Sequence, residues 1–511
     1  MQDVKEFYDE VPYFSAAFVD SSVLRLQAIG EFLNINPPPL KNARVLELGS
    51  AYGGNILPFA IHNPDADVVG IDISSTQVND GNAIAKSMGV GNFTLIQKDI
   101  LNLSQDDIKK LGKFDYIIAH GFFSWVKNNV KDALLAIIKN MLSPNGIAFI
   151  SYNVYPGWRG FETLRDFMVF TSKDEKGDKK LKKAKSELKF LEDFLKLNLQ
   201  AQSDQTLKDT QRLLLTQLGF LKNIINDDKN DYYVLHEFLE PNNDPFYFYK
   251  FANKLSAIGL SYLAESTLDD IFSFGVGVAR FDRHIEQNYK NRIDTEQMRD
   301  FLLNRSFRKS LVVQENLLPK DSQTDIGIDE FSRINLIADI KKDDDKFSLK
   351  GALLEPRFAK FYEKIMSVYP ASVSLDDFDG THLQDGFDAF LYLMSNPNVA
   401  ITTKKFVAIS YEKQKSRLKD SMKGYISYFA NTTRPALLLA TELNTKVELD
   451  MLGAKTALLF DGKHSIDEIA LKFREIFVEL NETDVNIFDA KEYVLGVKTK
   501  LENAYFLENI S

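Results

Sequence analysis

The 511 residues include no cysteine, which removes disulfide frameworks, thiolate-bound zinc, iron–sulfur clusters and thiol nucleophiles together. Any catalysis must then rest on oxygen, nitrogen or a cofactor. Histidine is also scarce: His62, His120, His236, His284, His382 and His464 show no close ligand spacing, and no metal site is expected. Positive charge is in deficit, with 62 Lys and Arg against 72 Asp and Glu for a net −10. A general phosphate-backbone binder is therefore disfavoured, because duplex affinity comes largely from neutralised phosphates. No run of about 18 uninterrupted apolar residues is available to span a membrane. The N-terminal MQDVKEFYDEVPYF is acidic and lacks the basic-then-apolar pattern of a signal peptide. The expectation is a cytoplasmic protein without membrane insertion. Glycine (26) and proline (15) are sparse, apolar residues make up 44% and charged residues 26%, the balance of an ordinary globular chain. At about 150 residues per domain, roughly three domains are expected.

From residue 44 short apolar runs alternate with amphipathic stretches. RVLELG, VVGIDIS, FTLIQKDI, FDYIIAHG and GIAFISYN read as buried strands, and TQVNDGNAIAKSMG and KDALLAIIKNML as crossover helices. The alternation predicts an α/β fold, a doubly wound Rossmann-like sheet in a first domain over residues 1–172. Ahead of it, Val23, Leu26, Ile29 and Leu33 recur at helical spacing until Pro37-Pro38-Pro39 stops the run. Residues 173–189, KDEKGDKKLKKAKSELK, are the one basic stretch and read as a solvated helical linker, the competing reading being a patch for an anionic partner. Helical periodicity continues to about residue 300, predicting a mostly α-helical middle domain over 173–300. Residues 301–511 mix strand-like SLVVQE and KFSLKG with helical stretches, which predicts an α+β, winged-helix-like C-terminal domain.

The sharpest local signal is the strand Arg44–Leu48 running into Gly49-Ser50-Ala51-Tyr52-Gly53-Gly54-Asn55. Small residues at 49, 51 and 53 let the backbone pass close to a ligand at an open helix N-terminus. The second strand ends in Asp72-Ile73, about 20 residues beyond that turn, where a carboxylate can take two ribose hydroxyls. The third ends in Asp99-Ile100, placed to meet an adenine edge. Three strand ends at the right spacing point to an adenosine cofactor. A dinucleotide fingerprint would read G-x-G-x-x-G around a pyrophosphate; here the small residues fall as G-x-A-x-G after Glu47. A carboxylate at that position repels a pyrophosphate but can organise the ammonium-bearing methionine end of S-adenosylmethionine.

On these residues the first domain resembles a class I S-adenosylmethionine-dependent methyltransferase, with Glu47–Gly53 as its first motif, Asp72 as its ribose acid and Asp99 on the adenine side. The resemblance extends to FYDEVPYF, LELGSAYGGNILPFA, HGFFSWV (120–126) and SYNVYPGW (151–158). These are similar to bacterial methyltransferases that carry a methyltransferase regulatory domain, and HEFLE (236–240), PFYF (245–248) and GLSYLAES are similar to that regulatory domain itself. NRSFRKSLVVQE and LLFDGKHSIDEIA resemble the family's C-terminal region. Ser50 and Ala51 depart from the bulkier or glycine residues of many methyltransferases, and the C-terminal half diverges more than the first. The best-understood relatives are bacterial protein-lysine methyltransferases of outer-membrane proteins, so the resemblance implies a protein substrate, with a small molecule or RNA as the alternative acceptor. The fourth strand ends in His120-Gly121-Phe122-Phe123 and not in the Asn/Asp-Pro-Pro-Tyr/Phe of many amino-methylating enzymes. With the acidic balance, this argues against DNA adenine as acceptor.

A lysine acceptor has a reference pKa of about 10.4 and arrives protonated, so the site must disfavour the ammonium or remove a proton. Aromatic walls with a few polar acceptors suit that task. Trp125, Tyr152, Asn153 and Trp158 follow the fourth and fifth strands, at the edge where such sheets bind ligands, and are the candidate catalytic residues. Tyr8 and Tyr13 are candidates to close over them as a lid. His120 is expected to line the cofactor pocket with Glu47, Gly49, Ser50, Ala51, Gly53, Asn55, Asp72, Ile73, Asp99 and Ile100. Each has a plainer reading: the tryptophans as core anchors, Tyr152-Asn153 as a turn after a strand, the N-terminal tyrosines as a staple. A cofactor-binding scaffold without turnover stays open as a different class.

Overall fold

The computed structural model describes residues 15–225, 231–240, 242–268, 279–289, 291–318, 326–378, 383–481 and 485–510. Tyr8 and Tyr13 lie outside these residues. The expected strands form and pair in one sheet: β1 (Arg44–Leu48), β2 (Asp67–Asp72), β3 (Phe93–Gln97), β4 (Phe114–Ala119) and β5 (Leu142–Asn153), joined by β6 (Leu260–Glu265) and β7 (Phe307–Gln314). Their order is β3-β2-β1-β4-β5-β7-β6. The first five run parallel, and β7 lies antiparallel between β5 and β6.

The strands are almost continuously apolar because both faces are covered. Val45, Val68, Ile118 and Phe149 pack on the side of the helix Val23–Phe32. Their neighbours Leu46, Val69, Ile117 and Ile150 pack on the opposite side, with helices Asn128–Met141 and Phe248–Ser256. This alternation is the two-residue period of a strand.

The expected boundaries at 172 and 300 do not follow the sheet. Helices Arg159–Thr171, Gly177–Ala201, Gln205–Ile225 and Asp231–Phe238 stand between β5 and β6, and the chain then returns to add two more strands. The lysine-rich stretch is one face of the helix Gly177–Ala201. Its other face, Leu181, Ala184, Leu188 and Leu195, is buried, and the first three of these pack with Trp158, Leu164, Leu218, Leu221 and Phe238. Beyond β7, residues 326–510 add helices and three small antiparallel sheets of three, three and two strands. Among the described residues no helix is long and apolar enough to cross a membrane.

The late strands are fastened by a buried ionic cluster. Arg308 on β7, 1% exposed, donates to Glu265 at 2.8 Å and to Asp300 at 2.8 and 3.0 Å, and to the Glu296 carboxylate at 3.1 Å. Its guanidinium also lies 3.9 Å from the centre of the Phe248 ring. Ser310 Oγ donates to Glu265 at 2.8 Å, and Lys309 pairs with Asp20 from the N-terminal segment. Replacing Arg308 by alanine removes the cation that three buried carboxylates share, while Glu296 keeps Arg299 at 2.6 Å and Asp300 keeps Arg305 at 3.1 Å. The expected loss is about 3–5 kcal/mol of stability at neutral pH, the usual penalty for breaking a buried ion pair by removing one partner. The loss should shrink on acidification as the freed carboxyls take up protons, with burial already raising Asp300 to about 6; thermal unfolding of Arg308→Ala at pH 5 and 7.5 checks both expectations.

Candidate active site

At the carboxyl edge of β1, β2 and β4 the turn after β1 runs through three left-handed residues, Gly49 (φ 79°), Ala51 (φ 48°) and Gly53 (φ 80°). A β-carbon at Gly49 would sit 2.4 Å from the Phe122 ring, so glycine there lets an aromatic wall close over the turn; at Gly53 it would meet Phe93 at 2.4 Å. Asp72, at the end of β2, pins the turn by accepting the Ala51 N–H at 2.8 Å with Oδ2, while Oδ1 accepts the Ser74 N–H at 2.9 Å. Asp99 accepts the Leu101 N–H at 3.0 Å and so caps the short turn that follows β3.

These groups open into one cavity of about 700 Å³. Of the expected residues, Glu47, Gly49, Ser50, Ala51, Asn55, Asp72, Ile73, Asp99, Ile100, His120, Trp125, Asn153 and Trp158 line it. Gly53 does not: it packs behind the turn against Phe93 and Leu95. Tyr152 does not either. It lies inside β5, and its side chain points opposite to that of Asn153, toward β7 and the helix Phe248–Ser256. There its hydroxyl is 2.9 Å from Ser310 Oγ and its ring 4.3 Å from Phe251. Burial raises its pKa well above that of an ordinary tyrosine, so it is a neutral core residue.

Glu47 is the electrostatic centre of the cofactor side. It is 3% exposed, its Oε1 accepts the Asn55 amide at 2.7 Å, and its Oε2 has no protein partner. Burial pushes its carboxyl up to about 8, against the pull of the Asn55 hydrogen bond and with the neighbouring Asp72 charge adding to the rise. Asn55 in turn accepts the Phe18 N–H at 3.0 Å, the Ser21 hydroxyl at 3.1 Å and the Asn444 amide at 3.1 Å. The N-terminal strap is fixed from both sides. Ser15 Oγ accepts the Gly54 N–H at 2.8 Å, and the Ser15 backbone pairs with Ala436 and Leu438 at 3.1 and 3.2 Å. Phe18 stacks on His120 with ring centres 3.8 Å apart, and Phe149 lies on a parallel plane 5.9 Å from the same ring. Buried between aromatics, His120 is pushed down to about 4. It is a neutral wall at physiological pH and not a base.

The rest of the wall is aromatic. Trp125, Trp158, Phe161, Phe238 and Phe307 join Asn153, Asn242 and Glu237. Trp158 packs on Phe161 and Phe238 with ring centres 5.6 and 6.0 Å apart, and its indole N–H has no protein partner. Asn153 donates to Asn243 at 3.2 Å and, beside the Glu237 carboxyl, draws its pKa down. Glu237 comes from the helix Asp231–Phe238, far from the sheet in sequence, and was not expected at the site. The available signal was an acid set among the apolar residues of HEFLE.

The sheet order with an antiparallel β7, together with strand-end acids around one cavity at the carboxyl edge, defines the class I methyltransferase fold. The donor set fits S-adenosylmethionine: a buried carboxyl whose Oε2 has no protein partner for its cationic end, a turn of small residues at 49–51, and an acid at the end of β2. A methyltransferase domain model matches residues 39–238, and the predicted methyltransferase regulatory domain matches residues 230–314. The chain is 37% identical over 248 residues to the uncharacterized protein RP028 of Rickettsia prowazekii, covering 92% of that protein and 48% of this one. It is 32% identical over 334 residues to RP789 of the same organism, covering 65% of this chain and only 56% of that one. Two structures of PKMT2 from Rickettsia typhi superpose on it. The one in complex with AdoHcy has a TM-score of 0.75 and 26% identity, covering 97% of this chain and 99% of that one; the other has a TM-score of 0.77 and 25% identity, covering 98% and 100%. The chain belongs to the S-adenosylmethionine-dependent methyltransferases that carry a methyltransferase regulatory domain. The regulatory region is part of the catalytic fold, because residues 230–314 supply β6, β7 and the helix bearing Glu237.

Glu47 also makes the protein pH-sensitive. Its folded pKa of about 8 exceeds its ordinary value of 4.5, so its contribution to stability is fully present below about 4.5 and is lost as pH rises toward 8. The melting temperature of Glu47→Gln should therefore gain on that of the parent protein between pH 6 and 8.5 without ligand, as read by scanning calorimetry. Parallel curves would contradict a buried, uncompensated Glu47.

Proposed function

We propose that this protein methylates lysine side chains of protein substrates. The observation that carries the reading is the likeness to PKMT2 over 97% of the chain, whose abbreviation denotes a protein-lysine methyltransferase. It is supported by the partly aromatic cavity that continues from the cofactor turn. When bound, S-adenosylmethionine supplies a methyl group on cationic sulfur: a nitrogen–carbon bond forms as the carbon–sulfur bond breaks, and the bonding pair leaves with sulfur.

The chain's own residues orient and exclude water. In this reading Asp72 takes ribose hydroxyls, Glu47 faces the cationic amino-acid end, and Asp99 with Ile73 and Ile100 borders the adenine. Gly49, Ser50 and Ala51 bring backbone close to the cofactor, and Asn55 fixes Glu47. His120 and Phe18 form a neutral stacked wall. Trp125 and Trp158 border the acceptor, and Asn153 sets the polar contacts beside it. Positioning of this kind supplies much of the rate when the methyl group is already activated.

Two outcomes test the reading. Asp72→Asn keeps the size of the side chain but loses the charge-assisted acceptors, each worth about 1.5–3 kcal/mol. S-adenosylmethionine affinity should fall about tenfold or more in calorimetric titration, with the fold retained by circular dichroism; unchanged affinity would remove Asp72 from the ribose site. With labelled methyl donor and unfolded outer-membrane protein as acceptor, acid hydrolysis should return methylated lysine. Label recovered only on RNA or small molecules, or on no acceptor despite cofactor binding, would reject the lysine assignment.

A further inference from the structure

Glu237 is a carboxyl group in the cavity wall among Trp158, Phe161 and Phe238. The Asn153 side chain beside it draws its pKa down and is itself held by Asn243 at 3.2 Å and, through the Asn153 backbone N–H, by Ser124 Oγ at 2.8 Å. A carboxylate offers about four acceptor sites, which leaves room for a donor arriving from the cavity. Among the described residues no lysine or arginine is recorded in an ion pair with it. Arg165 on the helix Arg159–Thr171, whose guanidinium is hydrogen-bonded to the Glu240 carbonyl, acts on it electrostatically, and Lys127 also lines the cavity.

The other cavity acids are differently placed. Asp72 and Asp99 accept backbone N–H groups at their strand ends, and Glu47 is bonded to Asn55 inside the cofactor turn. Glu237 alone among the four is carried by the inserted helices and stands among aromatic rings. Such rings suit an aliphatic stem and attract a cation at its tip.

We propose that Glu237 is the catalytic residue that receives the acceptor's ammonium and takes its proton. The proposal rests on the lysine reading above and deepens it, by naming the group that makes a primary amine the acceptor. One N–H bond of R–NH3+ breaks, its electron pair stays on nitrogen as the lone pair used in the transfer, and an O–H bond forms on the carboxylate. The pair goes from one cation and one anion to two neutral groups, and Glu237 later passes the proton to water. Burial raises its carboxyl to about 7, with Asn153 and Arg165 limiting the rise. A group poised near neutrality is suited to exchanging a proton there.

The test uses the full chain and a pair of probes that need no protein substrate. Both are S-adenosylhomocysteine analogues with nitrogen in place of sulfur; one carries a 2-aminoethyl arm and the other a propyl arm of the same length. The parent protein should bind the aminoethyl probe about tenfold or more tightly than the propyl probe, the factor expected of one charge-assisted hydrogen bond. In Glu237→Gln that preference should collapse to near unity. Affinity for S-adenosylhomocysteine itself should be unchanged, which also reports that the variant is folded. A preference that survives in Glu237→Gln overturns the proposal while leaving an amine acceptor in place. No preference in the parent protein overturns it too, and the methylated-lysine assay then decides separately whether the lysine reading falls with it.

Discussion

A carboxyl group taken out of water must lose its charge, find hydrogen bonds or meet a cation. This protein solves the problem differently on the two sides of β5. Beneath β6 and β7 the chain supplies its own cation: Arg308 satisfies Glu265, Glu296 and Asp300 together. Lys131, fully buried, pairs with Asp244 at 2.6 Å and steadies the segment leading from Asn242 into the sheet. In the cavity it supplies none to Glu47, whose second oxygen is left without a partner. On the reading proposed above, the missing charge is supplied by the α-ammonium group of the sulfonium cofactor, which offsets part of the burial cost of Glu47. That gives the empty-handed carboxyl a selective value that a hydrogen-bonded or ion-paired one would lack.

Holding such a group in place without neutralising it requires rigid neutral donors. Asn55 does this by joining three segments at one amide: Glu47 on β1, Phe18 and Ser21 of the N-terminal segment, and Asn444 of the C-terminal region. Asn444 is itself left-handed, with φ 58°, and also donates to the Asn55 carbonyl at 3.0 Å. The C-terminal region is thus braced against the cofactor turn, and residues nearly 400 positions apart in sequence determine the orientation of a single carboxyl group. The same strap carries Phe18 onto His120, so the polar clamp and the aromatic wall are one structural unit.

The parallel half of the sheet was legible in the sequence because strands covered on both faces are written as short, nearly uninterrupted apolar runs. Glu47, Asp72 and Asp99 were legible because a βαβ unit fixes the spacing between strand ends, so charge at a strand end stands out against its neighbours. β6 and β7 were harder to place. Their texture was partly seen in SLVVQE, but β7 pairs with β5 only after β5 has ended at Asn153 and the chain has returned at Phe307, with β6 then pairing β7, and nothing local encodes which edge a returning strand will join. Tyr152 was misplaced because GIAFISYN was read as a strand while Tyr152 and Asn153 were also read as following it; both lie inside β5. Two neighbours read as a shared turn therefore project to opposite faces, one to the cavity and one to the core. Gly53 was read as a small residue facing a ligand, whereas it lies outside the cavity and a β-carbon there would meet Phe93 behind the turn.

The difference between what could and could not be read follows from how the cavity is assembled. Its cofactor side is built by residues 47–120, within one continuous βαβ run, where each ligand-facing group sits at a predictable strand end. The remaining wall draws on Trp125 after β4, Asn153 and Trp158 around the end of β5, Glu237 and Phe238 from an inserted helix, and Phe307 from a strand that returns later. Those residues converge only because the buried faces of helices 159–171, 177–201 and 205–225 pack together with Trp158 and Phe238 in one core. Insertions of this type can change this part of the wall without disturbing the strand ends that carry Glu47, Asp72 and Asp99.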